Sequence, residues 1–199
     1  YAGSEGSAPS INWDQNFITI SGGVTDMASD AFEDSERNYL TVKLGAEVGE
    51  AGNLYFQVQG TAGDESSTFD YRGENFRDQL DESIITFSLG YTHYFPITDK
   101  ASFFINASAG IAYNSLDYEV NGTRIESLEG NSFYADAGIG FEHFLTKRLI
   151  LSASAKVMHV GDYKDGNAFT GLDGVDYAGY NIQYSSAFWG AELGLTYVF

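Results

Sequence analysis

Apolar and polar residues alternate at every second position over eight segments of this chain. In the last segment, residues 187–199, the odd positions are apolar from Ala187 to Phe199, and the even positions are mostly small or polar. Because successive side chains of a β-strand point to opposite faces, this period of two predicts strands with one apolar face. The predicted strands are residues 15–25, 39–48, 54–62, 83–95, 102–114, 132–144, 148–160 and 187–199.

The connections between the predicted strands alternate between long and short. The long ones are residues 26–38, 63–82, 115–131 and 161–186, and they hold 20 of the 28 acidic residues. An up-and-down barrel with both termini on one side has this rhythm. In the third long connection, Asn121-Gly122 between two alternating runs predicts a protruding hairpin. The chain is therefore predicted to be all-β, with a flexible leader at residues 1–12 and one eight-stranded antiparallel up-and-down barrel domain at residues 13–199.

The polar face of the strands indicates where the apolar face lies. In a soluble barrel the polar face is solvated and would be rich in Lys, Glu and Thr, whereas here it is mostly Gly, Ser, Thr, Asn and Gln. Small side chains suit a narrow lumen. The predicted strands are also long enough to cross a membrane, since a tilted membrane strand needs roughly 9–11 residues. We therefore predict a transmembrane barrel with short periplasmic turns and four long extracellular loops.

Composition narrows the possible functions. Aromatic residues make up 16% of the chain, which suits the aromatic girdles of a membrane barrel. A formal net charge of −18 repels nucleic acid, which we exclude as a partner. With no cysteine there is neither a disulfide framework nor a thiolate metal site. The sequence starts at Tyr1 without a basic or apolar signal region, as expected after signal-peptide removal or trimming.

The chain ends in Gly194-Leu-Thr-Tyr-Val-Phe199, an aromatic terminal strand. Together with the eight strands, this ending resembles small bacterial outer-membrane β-barrels of the OmpA transmembrane domain, OmpX/Ail and opacity-protein type. The resemblance implies a location in the bacterial outer membrane and contact with its lipid and lipopolysaccharide. It also implies that Tyr197 and Phe199 form a signal read by the barrel assembly machinery. Members of this class serve as adhesins, complement-evasion factors, structural anchors or narrow channels.

Six charged residues are predicted to face the lumen: Lys43, Glu47, Asp136, Glu142, Lys156 and Glu192. A hairpin centred near Thr146 would place Asp136 directly opposite Lys156, where opposite charges pair, and Glu192 could join them from the next strand. Buried charges are costly unless they are paired, so one interpretation is a plug of ion pairs that fills the barrel. The other interpretation is a gate or selectivity element of a narrow pore.

The sequence carries no recognisable catalytic constellation. His93 and His143 lie in aromatic stretches near the short turns, where we predict membrane anchoring, and His159 is predicted to face outward. One family of outer-membrane enzymes acts on lipid A with a His and a Ser two residues apart, and none of these three His has that Ser. Nucleophile, zinc, phosphate-loop and calcium-loop motifs do not occur. We predict a protein that is not an enzyme and uses no cofactor.

The long loops contain two sets of candidate contact residues. Oxygen ligands in the fourth loop could bind a divalent cation, but their spacing matches no defined site, and no metal is predicted. These ligands are Asp162, Asp165, Asn167, Asp173 and Asp176. Loop aromatics could contact a protein or glycan, or could pack the loops against one another. They are Phe69, Tyr71, Phe76, Tyr177, Tyr180 and Tyr184.

Two functional hypotheses follow from these observations. The first is a monomeric, non-enzymatic outer-membrane surface protein whose acidic, aromatic-containing loops recognise a host or surface ligand, with the barrel as scaffold. The alternative is a narrow porin-like channel for small solutes, whose conductance would change on substitution of Asp136 or Lys156. A lipid A-modifying enzyme has no support in the sequence beyond the location.

Overall fold

The computed structural model describes residues 11–26, 36–49, 51–164, 169–170, 176–177, 181–182 and 187–199. Eight long strands close into a barrel in which every strand is antiparallel to both neighbours. They are β1 (Ile11–Asp26), β2 (Glu36–Val48), β3 (Gly52–Tyr71), β4 (Glu74–Thr98), β5 (Ala101–Val120), β6 (Thr123–Phe144), β7 (Leu149–Val160) and β12 (Phe188–Val198). Four two-residue strands form two small sheets: β8 (Tyr163–Lys164) pairs with β11 (Asn181–Ile182), and β9 (Phe169–Thr170) pairs with β10 (Asp176–Tyr177).

Each long strand is paired with the strands before and after it in sequence, and β12 closes the ring against β1. The prediction of an eight-stranded antiparallel up-and-down barrel is therefore confirmed. Strand β1 begins at Ile11, inside the stretch predicted to be a leader, and a bulge between Asn12 and Asn16 interrupts its pairing with β2. The described residues form no helix that is long and apolar enough to cross a membrane.

Strands β3 to β6 run beyond their predicted ends. β3 and β4 stay paired up to Tyr71 and Glu74, and the turn between them holds Arg72 and Gly73 at φ of 57° and 83°. The second long loop is thus a β-hairpin, which the sequence did not predict. Where a strand has water on both of its faces, both faces carry polar residues. The sequence then shows no alternation of apolar and polar residues, although backbone pairing continues.

The hairpin predicted at Asn121-Gly122 is confirmed. β5 and β6 pair up to Val120 and Thr123, and the two turn residues have φ of 50° and 75°. Asn tolerates this left-handed conformation and Gly adopts it without steric cost, which is why this dipeptide marks a tight hairpin.

The side chains of the barrel are arranged inside out relative to a water-soluble protein. Large apolar side chains lie on the outer face, such as Leu89 and Leu193 at 70% and 67% exposure. Polar side chains such as Thr41, Gln57 and Ser88 are buried in the lumen. Lipid solvates an apolar outer face, so this arrangement suits a barrel that spans a membrane.

The lumen also contains an apolar layer that the sequence did not predict. It lies at the end of the barrel that carries the long connections, and Leu80 packs against it. Its members are Tyr39, Ile84, Ala112, Leu116, Leu128, Tyr134, Met158, Val160 and Phe188. Two of them, Leu116 and Leu128, come from the segment 115–131 that was predicted as a loop.

Inward-facing aromatic rings lie over glycines directly opposite on the neighbouring strand. A Cβ atom added to such a glycine would come within about 2.3–2.5 Å of the ring, so the ring occupies the place of the missing side chain. The register pairs are Gly23 with Tyr39, Gly45 with Phe17, Gly90 with Tyr55, and Gly140 with Phe104. These pairs explain part of the high content of both glycine and aromatic residues.

We expect Gly90→Ala to lower the free energy of unfolding by about 1–3 kcal/mol, because the new methyl group would overlap the Tyr55 ring. Gly60→Ala is the matched control, since no atom lies within 4 Å of a Cβ added at Gly60. Urea titrations of both variants in lipid vesicles, followed by tryptophan fluorescence, measure the difference. Equal stability of the two variants would contradict the proposed packing.

Candidate functional site in the barrel lumen

A buried ion-pair network crosses the middle of the lumen. Glu192 on β12 accepts hydrogen bonds from Lys156 at 2.9 Å and from Lys43 at 3.5 Å. The Lys156 ammonium also donates to Gln59 Oε1 at 2.7 Å and lies 4.0 Å from the centre of the Tyr39 ring. We call Lys43, Gln59, Lys156 and Glu192 the lumen network. It joins β2, β3, β7 and β12 through charge-assisted hydrogen bonds.

The predicted direct pairing of Asp136 with Lys156 is wrong. Asp136 lies opposite Met158, and Lys156 lies opposite Gly138. Phe144 pairs with Ile150, so the β6–β7 hairpin is centred on residue 147 rather than 146 and its connection is longer than expected. This shifts the register by two residues, which keeps both charges facing the lumen but separates them along the strands.

Asp136 is held by neutral donors instead. Its Oδ2 atom accepts hydrogen bonds from Ser108 at 2.6 Å, Tyr134 at 2.8 Å and Gln57 at 3.1 Å. Gln57 and Gln59 are inward neighbours on β3, so one strand connects Asp136 to the lumen network. The carboxylate is thereby stabilised by hydrogen bonding rather than by a direct ion pair.

The charges in the middle of the lumen balance one another. Lys43 and Lys156 carry two positive charges, and Asp136 and Glu192 carry two negative ones. The side chains of Asp136, Lys156 and Glu192 are buried, and that of Lys43 is 13% exposed. A balanced, hydrogen-bonded set avoids the high cost of an isolated buried charge. The geometry favours the interpretation of these residues as a plug.

A second buried ion pair closes the lumen nearer the long connections. Arg37 on β2 forms a salt bridge with Glu82 on β4, and both side chains are fully buried. The Arg37 side chain passes over Gly63 on the intervening strand, where an added Cβ would lie 2.8 Å from its Nε atom. The sequence analysis assigned Arg37 and Glu82 to loops. Continuing the strand alternation by two residues beyond Tyr39 and Ile84 would have placed both side chains in the lumen.

A cavity of about 280 Å³ lies at the opposite end of the lumen, beside the short turns. We call it the periplasmic vestibule. Of the six predicted lumen charges, Glu47 and Glu142 lie here rather than in the network. The Gln15 amide nitrogen, assigned from its surroundings, donates to both Glu47 carboxylate oxygens at 2.8 and 3.1 Å. The other lining residues are Phe17, Thr19, Gly49, Ala51, Gly52, Asn53, Tyr94, Pro96, Ser102, Phe144, Lys147, Ile150, Thr196 and Val198.

The predicted loop contact residues are only partly described. Phe69 and Phe76 occupy directly opposite positions on the β3–β4 hairpin, and Tyr71 lies opposite Glu74. Tyr177 lies opposite Phe169 in the β9–β10 pair. Tyr180 and Tyr184 lie outside the described residues.

The candidate divalent-cation ligands are not brought together in the part of the chain that the structure describes. Asp162 is exposed, and Asp176 pairs with Thr170 in the β9–β10 sheet. Asp165, Asn167 and Asp173 lie outside the described residues. No group of three or more His, Cys, Asp or Glu side chains among the described residues is arranged to hold a metal ion.

The histidines and the terminal aromatics lie on the outer face. The Tyr91 hydroxyl and His93 Nδ1 are 3.3 Å apart, and the His93 ring packs edge-on against Phe95. His143 and His159 are exposed. The Tyr197 and Phe199 rings are stacked with their centres 6.4 Å apart.

A closed barrel with an apolar outer face and a polar, charged interior defines a membrane-spanning β-barrel. The sequence profile of the family described as "Outer membrane protein beta-barrel domain" matches residues 1–188, and the chain belongs to this family. The protein is therefore a small eight-stranded β-barrel of the bacterial outer membrane. In barrels of this class the short turns face the periplasm and the long loops face the exterior. No curated protein sequence matches the chain.

Solved structures of three other outer-membrane proteins share the fold. Neisserial surface protein A superposes with a TM-score of 0.59 at 10% identity, covering 92% of this chain and 97% of that one. Ail, the attachment invasion locus protein of Yersinia pestis, gives 0.51 at 16% identity, covering 94% and 99%. The outer membrane protease OmpT of Escherichia coli gives 0.56 at 9% identity, covering 96% and 98%. One fold thus carries attachment and proteolysis, so function has to be argued from this chain's own residues.

Proposed function

We propose that the protein is a non-enzymatic surface protein of the outer membrane, in which a filled barrel supports a rigid extracellular sheet that binds a ligand. The observation that carries this proposal is the continuous pairing of β3 to β6 above the barrel. β4 and β5 remain paired up to Asp78 and Val120, so the two hairpins form one four-stranded sheet. We call residues 63–82 and 115–131 the extracellular sheet.

The tip of the second hairpin is joined to the side of the first. The Asn121 backbone N–H donates to the Arg77 carbonyl at 2.7 Å, and the Arg77 N–H donates to the Asn121 side chain at 2.9 Å. β3 continues nine residues past Ala62, which corresponds to about 30 Å of strand at about 3.3 Å per residue. A preordered surface of this kind loses little conformational entropy on binding.

The outward face of the extracellular sheet is acidic. Asp64, Asp81 and Asp117 lie in one row, each directly opposite the next across β3, β4 and β5. Asp81 accepts hydrogen bonds from the Gln79 amide, and Asp117 forms a salt bridge with Arg124, so the row as a whole keeps a negative charge. Its negative potential favours a partner with a basic surface and would speed the encounter with it.

The filled lumen supports a scaffold rather than a channel. The lumen network fills the middle of the barrel interior, and the apolar layer with the neighbouring Arg37–Glu82 pair fills it nearer the long connections. An eight-stranded barrel has an interior only just wide enough for such side chains. The ligand-binding role therefore falls to the extracellular sheet.

Adhesion of bacteria that display the protein to cultured epithelial cells tests this proposal. In one variant an Asn-Gly turn replaces residues 65–80, which joins Asp64 to Asp81 and removes the first hairpin. In a second variant Asp64, Asp81 and Asp117 are all changed to Asn. We expect both variants to fold, as checked by heat-modifiable gel migration, and to lose adhesion. Full adhesion by the first variant would overturn the proposal.

A further inference from the structure

We infer that the periplasmic vestibule binds a small organic cation that carries a primary ammonium group. This inference concerns the end of the barrel opposite to the extracellular sheet, and it goes beyond the proposed surface function without resting on it.

Glu142 places a buried carboxyl group in the wall of the vestibule. Its side chain is 7% exposed and lines the cavity. It is hydrogen-bonded to Ser102, the residue directly opposite on β5, and no cationic side chain of the described residues forms a salt bridge with it. Glu192, by contrast, is bound by two lysines in the middle of the lumen. A buried carboxylate that lacks a cationic partner is strongly stabilised when a cation binds beside it.

Acidic side chains outnumber basic ones in the lining of the vestibule. Glu47 and Glu142 both line it, and the one cationic residue in its lining is Lys147, which is exposed in the β6–β7 turn. Glu47 receives its hydrogen bonds from the neutral Gln15 amide. The vestibule therefore differs from the middle of the lumen, where Glu192 and Asp136 balance Lys43 and Lys156, and its potential favours a positive ligand.

The lining fits an alkylammonium ion better than a metal ion. Calcium and magnesium ions need six or more oxygen ligands, whereas the vestibule offers two carboxylates within a partly apolar wall. Phe17, Ile150 and Val198 supply apolar surface that an alkyl chain can cover. An ammonium group has three N–H donors and no acceptor, which matches carboxylate and hydroxyl oxygens.

The size and position of the cavity limit the ligand further. Its volume of about 280 Å³ corresponds to on the order of nine water molecules at about 30 Å³ each. A diamine with a four- or five-carbon chain fits that volume and could approach both carboxylates. Gly49 and Ala51 of the β2–β3 turn line the vestibule, so the ligand enters from the periplasm.

The test uses 1,4-diaminobutane as the probe and the full chain refolded in lipid nanodiscs. Backbone amide chemical shifts are followed by NMR as the diamine is added, with 1,4-butanediol and magnesium chloride as comparison ligands. We expect saturable shifts at Asn53, Ser102 and Glu142 with a Kd on the order of 1 mM. Glu142→Gln should weaken binding about tenfold or more, because it removes a charge-assisted hydrogen bond. Glu74→Gln, at an exposed position on the β3–β4 hairpin, should leave diamine binding unchanged.

Each result decides the inference. Saturation by the diamine that is lost in Glu142→Gln and kept in Glu74→Gln supports it. Equal shifts with 1,4-butanediol, stronger and equally localised shifts with magnesium, or no localised shifts would overturn it. If Glu142→Gln does not refold, Glu47→Gln replaces it, with weaker diamine binding expected and unchanged binding contradicting the site.

Discussion

Glu192→Ala is expected to lower the free energy of unfolding by about 3–5 kcal/mol, the loss seen when one partner of a buried ion pair is removed. The substitution leaves the ammonium groups of Lys43 and Lys156 in the lumen without the carboxylate that they share. Gln59 still accepts a hydrogen bond from Lys156, but a neutral amide does not offset two buried positive charges.

The measurement for Glu192→Ala is a urea titration of the refolded protein in lipid vesicles, read by heat-modifiable gel migration and tryptophan fluorescence. Glu74→Ala is the matched control, because Glu74 is an exposed glutamate beside the β3–β4 turn. We expect the control to stay within about 0.5 kcal/mol of the original chain, as most surface substitutions do. A loss of less than about 1 kcal/mol in Glu192→Ala would show that the lumen network does not hold the barrel together.

Arg37→Ala is expected to cost a similar amount, about 3–5 kcal/mol, because it leaves the fully buried Glu82 carboxylate without its salt bridge. Arg37 also spans from β2 across Gly63 to β4, so its loss removes a contact that ties the first hairpin to the barrel wall. Urea titration gives the loss of stability. Hydrogen exchange at the amides of residues 63–82 should show faster opening of that hairpin.

A variant in which both charges are replaced separates lost charge pairing from lost packing. In Arg37→Met combined with Glu82→Leu, apolar side chains replace both charges, and such replacements are often neutral or stabilising. We therefore expect the double variant to recover most of the stability that Arg37→Ala loses. If the double variant is as unstable as Arg37→Ala, the salt bridge is not the cause of the effect.

The number of strands, the outward direction of their apolar side chains and the alternation of long and short connections could be predicted, because a membrane barrel requires them. Lipid requires an apolar side chain at nearly every outward position, so the alternation from Ile85 to Tyr91 is visible in the sequence alone. The Asn121-Gly122 turn could be predicted because its backbone conformation restricts which residues fit.

The candidate site could be predicted only in part. Alternation identified the inward face of Lys156 and Asp136, but their register depends on the length of the β6–β7 turn, which alternation does not define. The Arg37–Glu82 pair lies one or two residues beyond the predicted ends of its strands, and the β3–β4 hairpin continues where both faces are polar, so the period of two does not mark it. The vestibule is lined by residues from all eight barrel strands and from two turns, so no local sequence pattern predicts it.

The central claim is that the barrel is a filled scaffold, which leaves recognition to the extracellular sheet. Single-channel recording of the refolded chain in planar lipid bilayers tests it most directly. The lumen network and the apolar layer predict no steady conductance above that of the protein-free membrane. A reproducible unitary conductance that shifts in Lys156→Ala would contradict the claim, because it would mean that ions pass through the network.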